Sequence, residues 1–313
     1  MSSEYLENIK CCVCGNTEKS GFSVRFQKNG VNIMQCNNCS FIFIPPYYRK
    51  NISYVDYKDE KVADAVRKGN NWIKIQRNLL RYDLIRKFVP KGKLFDLGVG
   101  WGHFLLAGKK LGYDVYGIEI SHQPYLYSKN DLGLPVDRID FFEMPEDNKY
   151  DVLTMWDVLE HIDAADKVVE KCARMINKGG YIFIQVPQID SFIAKRAQAS
   201  WNMMGLDHVN YFSKKTLTLL LEKNGFKVKT IKSSIELKLL LMYTILPWIK
   251  RWKKKSKNEE VKITSADRQE FFNKVTNKSQ WQLSLFVKIH NLIYRTLSAL
   301  KIGEEMIVVA EKQ

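Results

Sequence analysis

The chain predicts an α/β architecture: a central sheet with helices on both faces, a small cysteine-bearing segment ahead of it and a helical insertion near the end. Three observations carry this. Residues 93–120, KLFDLGVGWGHFLLAGKKLGYDVYGIEI, read as strand, glycine-rich turn, helix and strand. Continuous apolar runs at YDVLTMW and YIFIQV bracket a segment with helical period. Two C-x-x-C pairs stand within the first 39 residues.

Composition sets the outer limits. With 313 residues, of which 45% are hydrophobic and 27% charged, the chain can bury a sizeable core and carry attachments, which excludes a disordered or fibrous protein. A net charge of +15 predicts an anionic partner: a nucleotide-linked substrate, nucleic acid or an acidic membrane surface. The opening MSSEYLENIKCC lacks the apolar core of a signal peptide, and no uncharged apolar run reaches the ~18 residues that span a bilayer. A cytoplasmic location is therefore expected.

Cys11 and Cys14 form the first pair, and Cys36 and Cys39 the second, with 21 residues between them. Each pair can sit on a tight turn that aims two sulfurs at one point, so two such turns make the tetrahedral thiolate cage that zinc prefers. GFSVRF and VNIMQC flank Lys28, Asn29 and Gly30 as a short hairpin, giving a zinc ribbon over residues 1–46. A structural Zn2+ is expected, and unligated thiols are the plainer alternative. Cys12 falls out of register. Chelation should loosen the N-terminus while cofactor binding persists. FIFIPPYY closes the ribbon, its consecutive prolines favouring an extended connection. Residues 47–92 are helical in composition and form a lid or linker.

In the 93–120 unit a buried strand ends in Gly98, Gly100 and Gly102, where the backbone can approach a ligand that any Cβ would strike. Glu119 follows about 20 residues on, where an acid can bind both ribose hydroxyls. The spacing is G-x-G-x-G. It lacks the last glycine of the dinucleotide fingerprint.

DLGVGWG followed by GIEI resembles the first two motifs of class I S-adenosylmethionine-dependent methyltransferases. The resemblance implies a Rossmann-like seven-stranded sheet, mostly parallel with the last strand antiparallel, over residues 93–233 and 303–313. It implies S-adenosylmethionine as cofactor, with Gly98, Gly100 and Gly102 at the methionine end, Glu119 at the ribose, and Asp96 and Ile120 also among the cofactor-binding residues. Asp140 and Phe141, after a third strand over 134–139, take the places that hold adenine, and Trp156 joins this cofactor set.

Ser121 can cap a helix through Asn130. YDVLTMWDVLEHI resembles the W-D-V-L-E-H run of small-molecule methyltransferases, with Tyr150 to Trp156 as a strand and Asp157 at its C-terminal edge. It is unlike the N-P-P-Y sequence of many base-flipping enzymes. The helix carrying Ala164, Val168, Cys172, Met175 and Ile176 stops at NKGG, before strand 181–186. Ser213 caps a helix that Asn224 and Gly225 end, and FKVKTIKS is a sixth strand. DHVNYFS resembles the E-H-x-x-Y-F-S run of sugar methyltransferases with a zinc-binding N-terminus, where the histidine lies in the substrate site. Here Asp207 replaces the glutamate, and the long C-terminal domain of the sugar C-methyltransferases is missing.

The candidate catalytic residues are thus His161, His208 and Asp157, since imidazole titrates near neutrality and carboxylates tune it. Fold-stabilising roles for Glu160, His161 and His208 stand beside that reading. Tyr54 and Tyr57 resemble an aromatic pair that closes related sites, and are otherwise surface tyrosines. The seventh strand, EEMIVVAEK, arrives only after a basic helical insertion, 234–302. There LLLMYTILPWI runs into KRWKKKSK, so residues 239–257 suit peripheral contact with an anionic membrane, or form a cap with a solvated basic face. The acceptor expected is a small molecule or glycan methylated on a hydroxyl, with ribosomal RNA or a non-catalytic scaffold as alternatives and nucleic acid ranked below the small molecule.

Overall fold

The computed structural model describes residues 3–49, 60–67, 71–234, 292, 296 and 303–313. Tyr54, Tyr57 and the basic stretch 239–257 lie outside the described residues.

Strands β1 (Phe22–Lys28) and β2 (Val31–Cys36) form the expected hairpin, turning at Asn29 and Gly30, both with positive φ. β3 (Ile42–Phe43) pairs with β2. The prolines then open a helical turn, Pro46–Arg49, in place of an extended connection, because proline's fixed φ suits the first helical position. Helices Glu60–Arg67 and Asn71–Ile85 lead to β4 (Lys93–Leu97), β5 (Asp114–Ile118), β6 (Val136–Asp137), β7 (Tyr150–Trp156) and β8 (Ile176–Pro187). β9 (Asn210–Tyr211), β10 (Phe226–Ser234) and β11 (Glu305–Lys312) complete the set.

Seven strands make one sheet in the order β10-β11-β8-β7-β4-β5-β6. β4 to β8 pair in parallel, and β11 is antiparallel to both β8 and β10, as the sequence predicted. The chain order reverses at β4, with β5 and β6 to one side and β7 and β8 to the other. In open α/β sheets a reversal of this kind leaves a crevice at the carboxyl ends of the strands.

Alternation along the strands decides which side chains cover which face. Phe95, Leu97, Leu153, Met155, Ile182 and Ile184 meet helices 165–175 and 214–223 on one face, while Leu94, Val152, Phe183, Ile307 and Val309 meet helices 71–85 and 103–110 on the other. The cysteine segment joins the first of these cores through Phe41, whose ring lies 5.2 Å from that of Phe212. Its sheet, β1-β2-β3-β9, takes its last strand from residues 210–211.

Several local expectations shift. The helix after Ser121 runs only His122–Leu126 and then widens into a π segment, Tyr127–Asp131, and the Ser121 side chain caps nothing. The next helix ends at Met175, and Ile176 already belongs to β8, because an apolar residue beside a buried sheet serves a strand as well as a helix. The third strand shortens to two residues. Ser213 forms a full capping box with Thr216, and Cys172 is a buried thiol. No helix among the described residues is long and apolar enough to cross a membrane.

Candidate active site

The turn after β4 is shaped by three left-handed glycines, Gly98, Gly100 and Gly102, at φ 79°, 56° and 73°. A Cβ on Gly100 would meet nothing within 4 Å, so this position borders open space, whereas one on Gly98 would strike the Val158 side chain. Gly100 donates its backbone N–H to Glu119 Oε2 at 2.7 Å, and Ser121 donates its own to Oε1 at 2.7 Å. Glu119 is buried, and these two bonds fix its carboxylate while each oxygen keeps a lone pair for a vicinal diol. Close-approaching backbone beside an oriented acid fits the adenosine part of S-adenosylmethionine. Asp96 lies beneath the turn, accepting from Thr154 Oγ1 at 2.6 Å; burial pushes its carboxyl up to about 8.

Two expected adenine contacts are placed differently from each other. Asp140 is exposed and caps its own turn, accepting from the Phe142 N–H at 2.7 Å. Phe141 turns into the core, its ring stacked 6.3 Å from Phe95, and the open ring is Phe142, which is 48% exposed. The expectation for Phe141 is corrected accordingly, since a turn leaves adjacent residues facing opposite ways. Ile120 is also half-exposed. Trp156 is buried between the Phe104 ring at 5.2 Å and the Arg81 guanidinium at 4.3 Å.

At the end of β7, Asp157 adopts φ 60°, a sparsely populated conformation for a non-glycine residue. Gln185 Nε2 donates to both Asp157 oxygens, at 3.2 and 3.1 Å, and to Glu305 Oε2 at 2.9 Å, while Arg81 donates to Gln185 Oε1 at 3.3 Å. The next turn, Leu159–His161, delivers Glu160 and His161. The turn and Ile162 after it are tied to the start of β9 and the residue before it, by Val209 N–H donating to Glu160 O at 2.8 Å and by Asn210 Nδ2 donating to Ile162 O at 2.7 Å. His161 and His208 thereby meet edge to face, ring centres 4.6 Å apart. His161 Nδ1 lies 2.9 Å from Asp207 O and His208 Nδ1 2.8 Å from Met203 O. A carbonyl can only accept, so both Nδ1 atoms carry a proton, and the neutral form of each ring keeps its lone pair on Nε2. Burial and the neighbouring His161 hold His208 below the usual imidazole range, and so neutral.

A model of the methyltransferase domain matches residues 72–231, just over half of the chain. The chain belongs to the methyltransferase-domain family. Among curated relatives, a ubiquinone biosynthesis O-methyltransferase of Proteus mirabilis is 26% identical over 98 residues, 29% of this chain and 40% of the relative. The corresponding enzyme of Pectobacterium carotovorum is 27% identical over 126 residues, 37% of this chain and half of the relative. The chain thus spans half or less of the length of these two enzymes. A solved SAM-dependent methyltransferase from Archaeoglobus fulgidus superposes with a TM-score of 0.49 at 19% identity, covering 82% of this chain and all of the other.

The methyltransferase domain carries the four cysteines at its flank. Cys11 and Cys39 sulfurs lie 3.5 Å apart, Cys14 and Cys36 sulfurs 3.6 Å apart, and all four fall within 4.8 Å of one another. Zn–S bonds of ~2.3 Å in a tetrahedron separate sulfurs by about 3.8 Å, so the donor set is compatible with zinc. The hydrogen bond between Cys11 and Cys39 draws Cys39 down to about 5 and pushes Cys11 up, as a proton shared by two close thiols does. Cys12 is not part of the cluster.

Arg81, Gln185 and Glu305 escaped the sequence reading. Gln185 alone left a signal, as the one polar residue inside the apolar run YIFIQV.

Proposed function

We propose that the protein transfers a methyl group from S-adenosylmethionine to a hydroxyl oxygen of a small molecule. The observation that carries this reading is the His161–His208 pair, two imidazoles with free Nε2 lone pairs one turn beyond the strand end that abuts the glycine turn. When bound, S-adenosylmethionine supplies an electrophilic methyl. The chain's tasks are to hold an acceptor oxygen in line with it and to ease the loss of the hydroxyl proton. Gly98, Gly100, Gly102 and Glu119 hold the donor, and Asp140, Phe142 and Ile120 border the adenine. His161 and His208 face the acceptor, with Asp157 fixed beside them by Gln185.

Methylation on oxygen is supported by relatives named as O-methyltransferases. A sugar acceptor, nucleotide-linked or lipid-linked and used in surface polysaccharide or secondary metabolite assembly, is supported by the resemblance of DHVNYFS to sugar methyltransferases. The four cysteines hold a structural Zn2+ in this proposal. The cytoplasm supplies the cofactor, and the basic stretch 239–257 meets anionic lipid.

Calorimetry with S-adenosylmethionine and its demethylated product tests the donor site. Mass spectrometry of envelope sugars and RNA nucleosides from a deletion strain tests the acceptor. A sugar missing one methyl is the expected result. A missing RNA methyl, or no association with either cofactor form, overturns the reading.

A further inference from the structure

Glu160 is a buried acid beside His161 and His208. Its side chain is 1% exposed, and neither carboxylate oxygen has a hydrogen-bond partner. His161 Nε2 stands 4.0 Å from Oε1, too far for a hydrogen bond. Asp157 and Asp207 add like charge to its surroundings. A buried carboxylate without donors is costly, and such groups are protonated, paired or bound to metals.

The two histidines complete the picture. Each has its Nδ1–H committed to a backbone carbonyl, Asp207 O and Met203 O, which leaves Nε2 as the acceptor in both. This is the outer-shell arrangement by which proteins orient metal-ligating imidazoles. One donor atom each from Glu160, His161 and His208 falls within 4.8 Å of the other two. Bonds of ~2.0–2.2 Å place ligand atoms roughly 3–3.5 Å apart, so closing on an ion needs side-chain shifts of about 1 Å.

We propose that Glu160, His161 and His208 bind a divalent first-row transition ion, with Zn2+ the best match among them. Two imidazoles and one carboxylate form a three-ligand set that leaves positions open, unlike the closed four-thiolate centre. Borderline nitrogen donors disfavour Mg2+ and Ca2+, which take oxygen ligands. The proposal rests on the reading of this edge as the acceptor side. An acceptor hydroxyl in an open position would release its proton to solvent more readily, the ion holding the charge left on oxygen. The methyl carbon would then bond that oxygen as its bond to sulfur breaks, the electron pair staying on sulfur. The ion, with both Nε2 atoms as ligands, takes over the activating role from free imidazole.

The full-length protein, stripped of metal, is titrated with Co2+ as the only probe, and bound metal is counted by mass spectrometry after dialysis. Two ions per chain are expected. One should show the intense sulfur-to-cobalt absorption of the cysteine centre, and the other only weak visible bands. Glu160→Gln and His208→Ala should each lose the second ion, or weaken it by about tenfold or more, with the sulfur band intact to report a folded ribbon. Replacing Cys11 and Cys39 by serine should remove the sulfur band, which assigns that band to the cysteine centre. One ion in the wild type, or two that persist undiminished in both variants, overturns the proposal. S-adenosylmethionine binding, measured separately, fails on its own if the functional reading is wrong.

Discussion

Glu119 receives the backbone N–H of Gly100 across 2.7 Å, so the acid at the end of β5 braces the middle of the glycine turn it is meant to serve. A glutamine there can offer one accepting oxygen, and its amide nitrogen would face either the Gly100 or the Ser121 N–H. Glu119→Gln should therefore weaken S-adenosylmethionine binding by about tenfold to a hundredfold, the scale of hydrogen bonds to a charged group. Calorimetry reads this directly, and an unchanged affinity would remove Glu119 from the donor site.

Gly100 and Gly117 separate binding from folding. A Cβ at Gly100 enters open space, and the strain of φ 56° for alanine costs on the order of 1 kcal/mol. Gly100→Ala should fold with a small loss of Tm and yet bind the cofactor poorly, because the methyl group occupies the ligand's side of the turn. At Gly117 the added atom would lie 2.7 Å from the Asp96 carbonyl oxygen and 2.4 Å from Val99 Cγ2, between paired strands that cannot separate. Gly117→Ala should lower Tm sharply, at a cost of about 1–3 kcal/mol in stability. Thermal unfolding and cofactor titration together distinguish the two.

Asp96 ties stability to pH. Burial raises its carboxyl to about 8 from 3.8, so between those values the folded state binds a proton that the unfolded state has lost. Its contribution is fully present below the unfolded value and falls as pH rises towards 8, at up to about 1.4 kcal/mol per pH unit. Asp96→Asn keeps an oxygen for Thr154 and removes the proton. Urea unfolding from pH 5 to 8 should show wild-type stability declining relative to the variant, and parallel profiles would contradict the assignment.

What the sequence made legible was local. The glycine turn, Glu119 and the strands around them follow from rules that act over a few residues, and even the late strand β11 announced itself as an apolar run. Phe141 and Phe142 could not be told apart, because adjacent residues in a turn point oppositely and no periodicity ranks them. β9 is two residues long and has no period at all. The His161–His208 contact, the unpartnered Glu160 and the Arg81–Gln185–Asp157 network depend on segments brought together only by the folded sheet. Motif resemblance marked both histidines separately, and the backbone bonds from Val209 and Asn210 explain why they meet.

Those same bonds give the four-cysteine centre a reach that its place in the sequence conceals. β3 pairs Ile42 with Tyr211 and Phe43 with Asn210, Ile44 N–H donates to Val209 O at 2.9 Å, and Lys28 Nζ donates to Met204 O at 2.5 Å. The ribbon therefore grips the chain on both sides of His208, whereas the glycine turn and Glu119 are anchored by β4, β5, Ser128 and Asp137, none of them in the ribbon. Loosening the ribbon should disturb the acceptor side and spare the donor side. Chelators are the wrong tool, since they would also strip any ion at Glu160, so the variant of choice is Cys36→Ser with Cys39→Ser. It should bind S-adenosylmethionine within about twofold of wild type while turnover falls by about tenfold or more, a loss of ~1.4 kcal/mol or greater in transition-state stabilisation. Undiminished turnover would show the ribbon to be a separate attachment. Loss of cofactor binding in step with turnover would show instead that the cysteines hold the whole domain together.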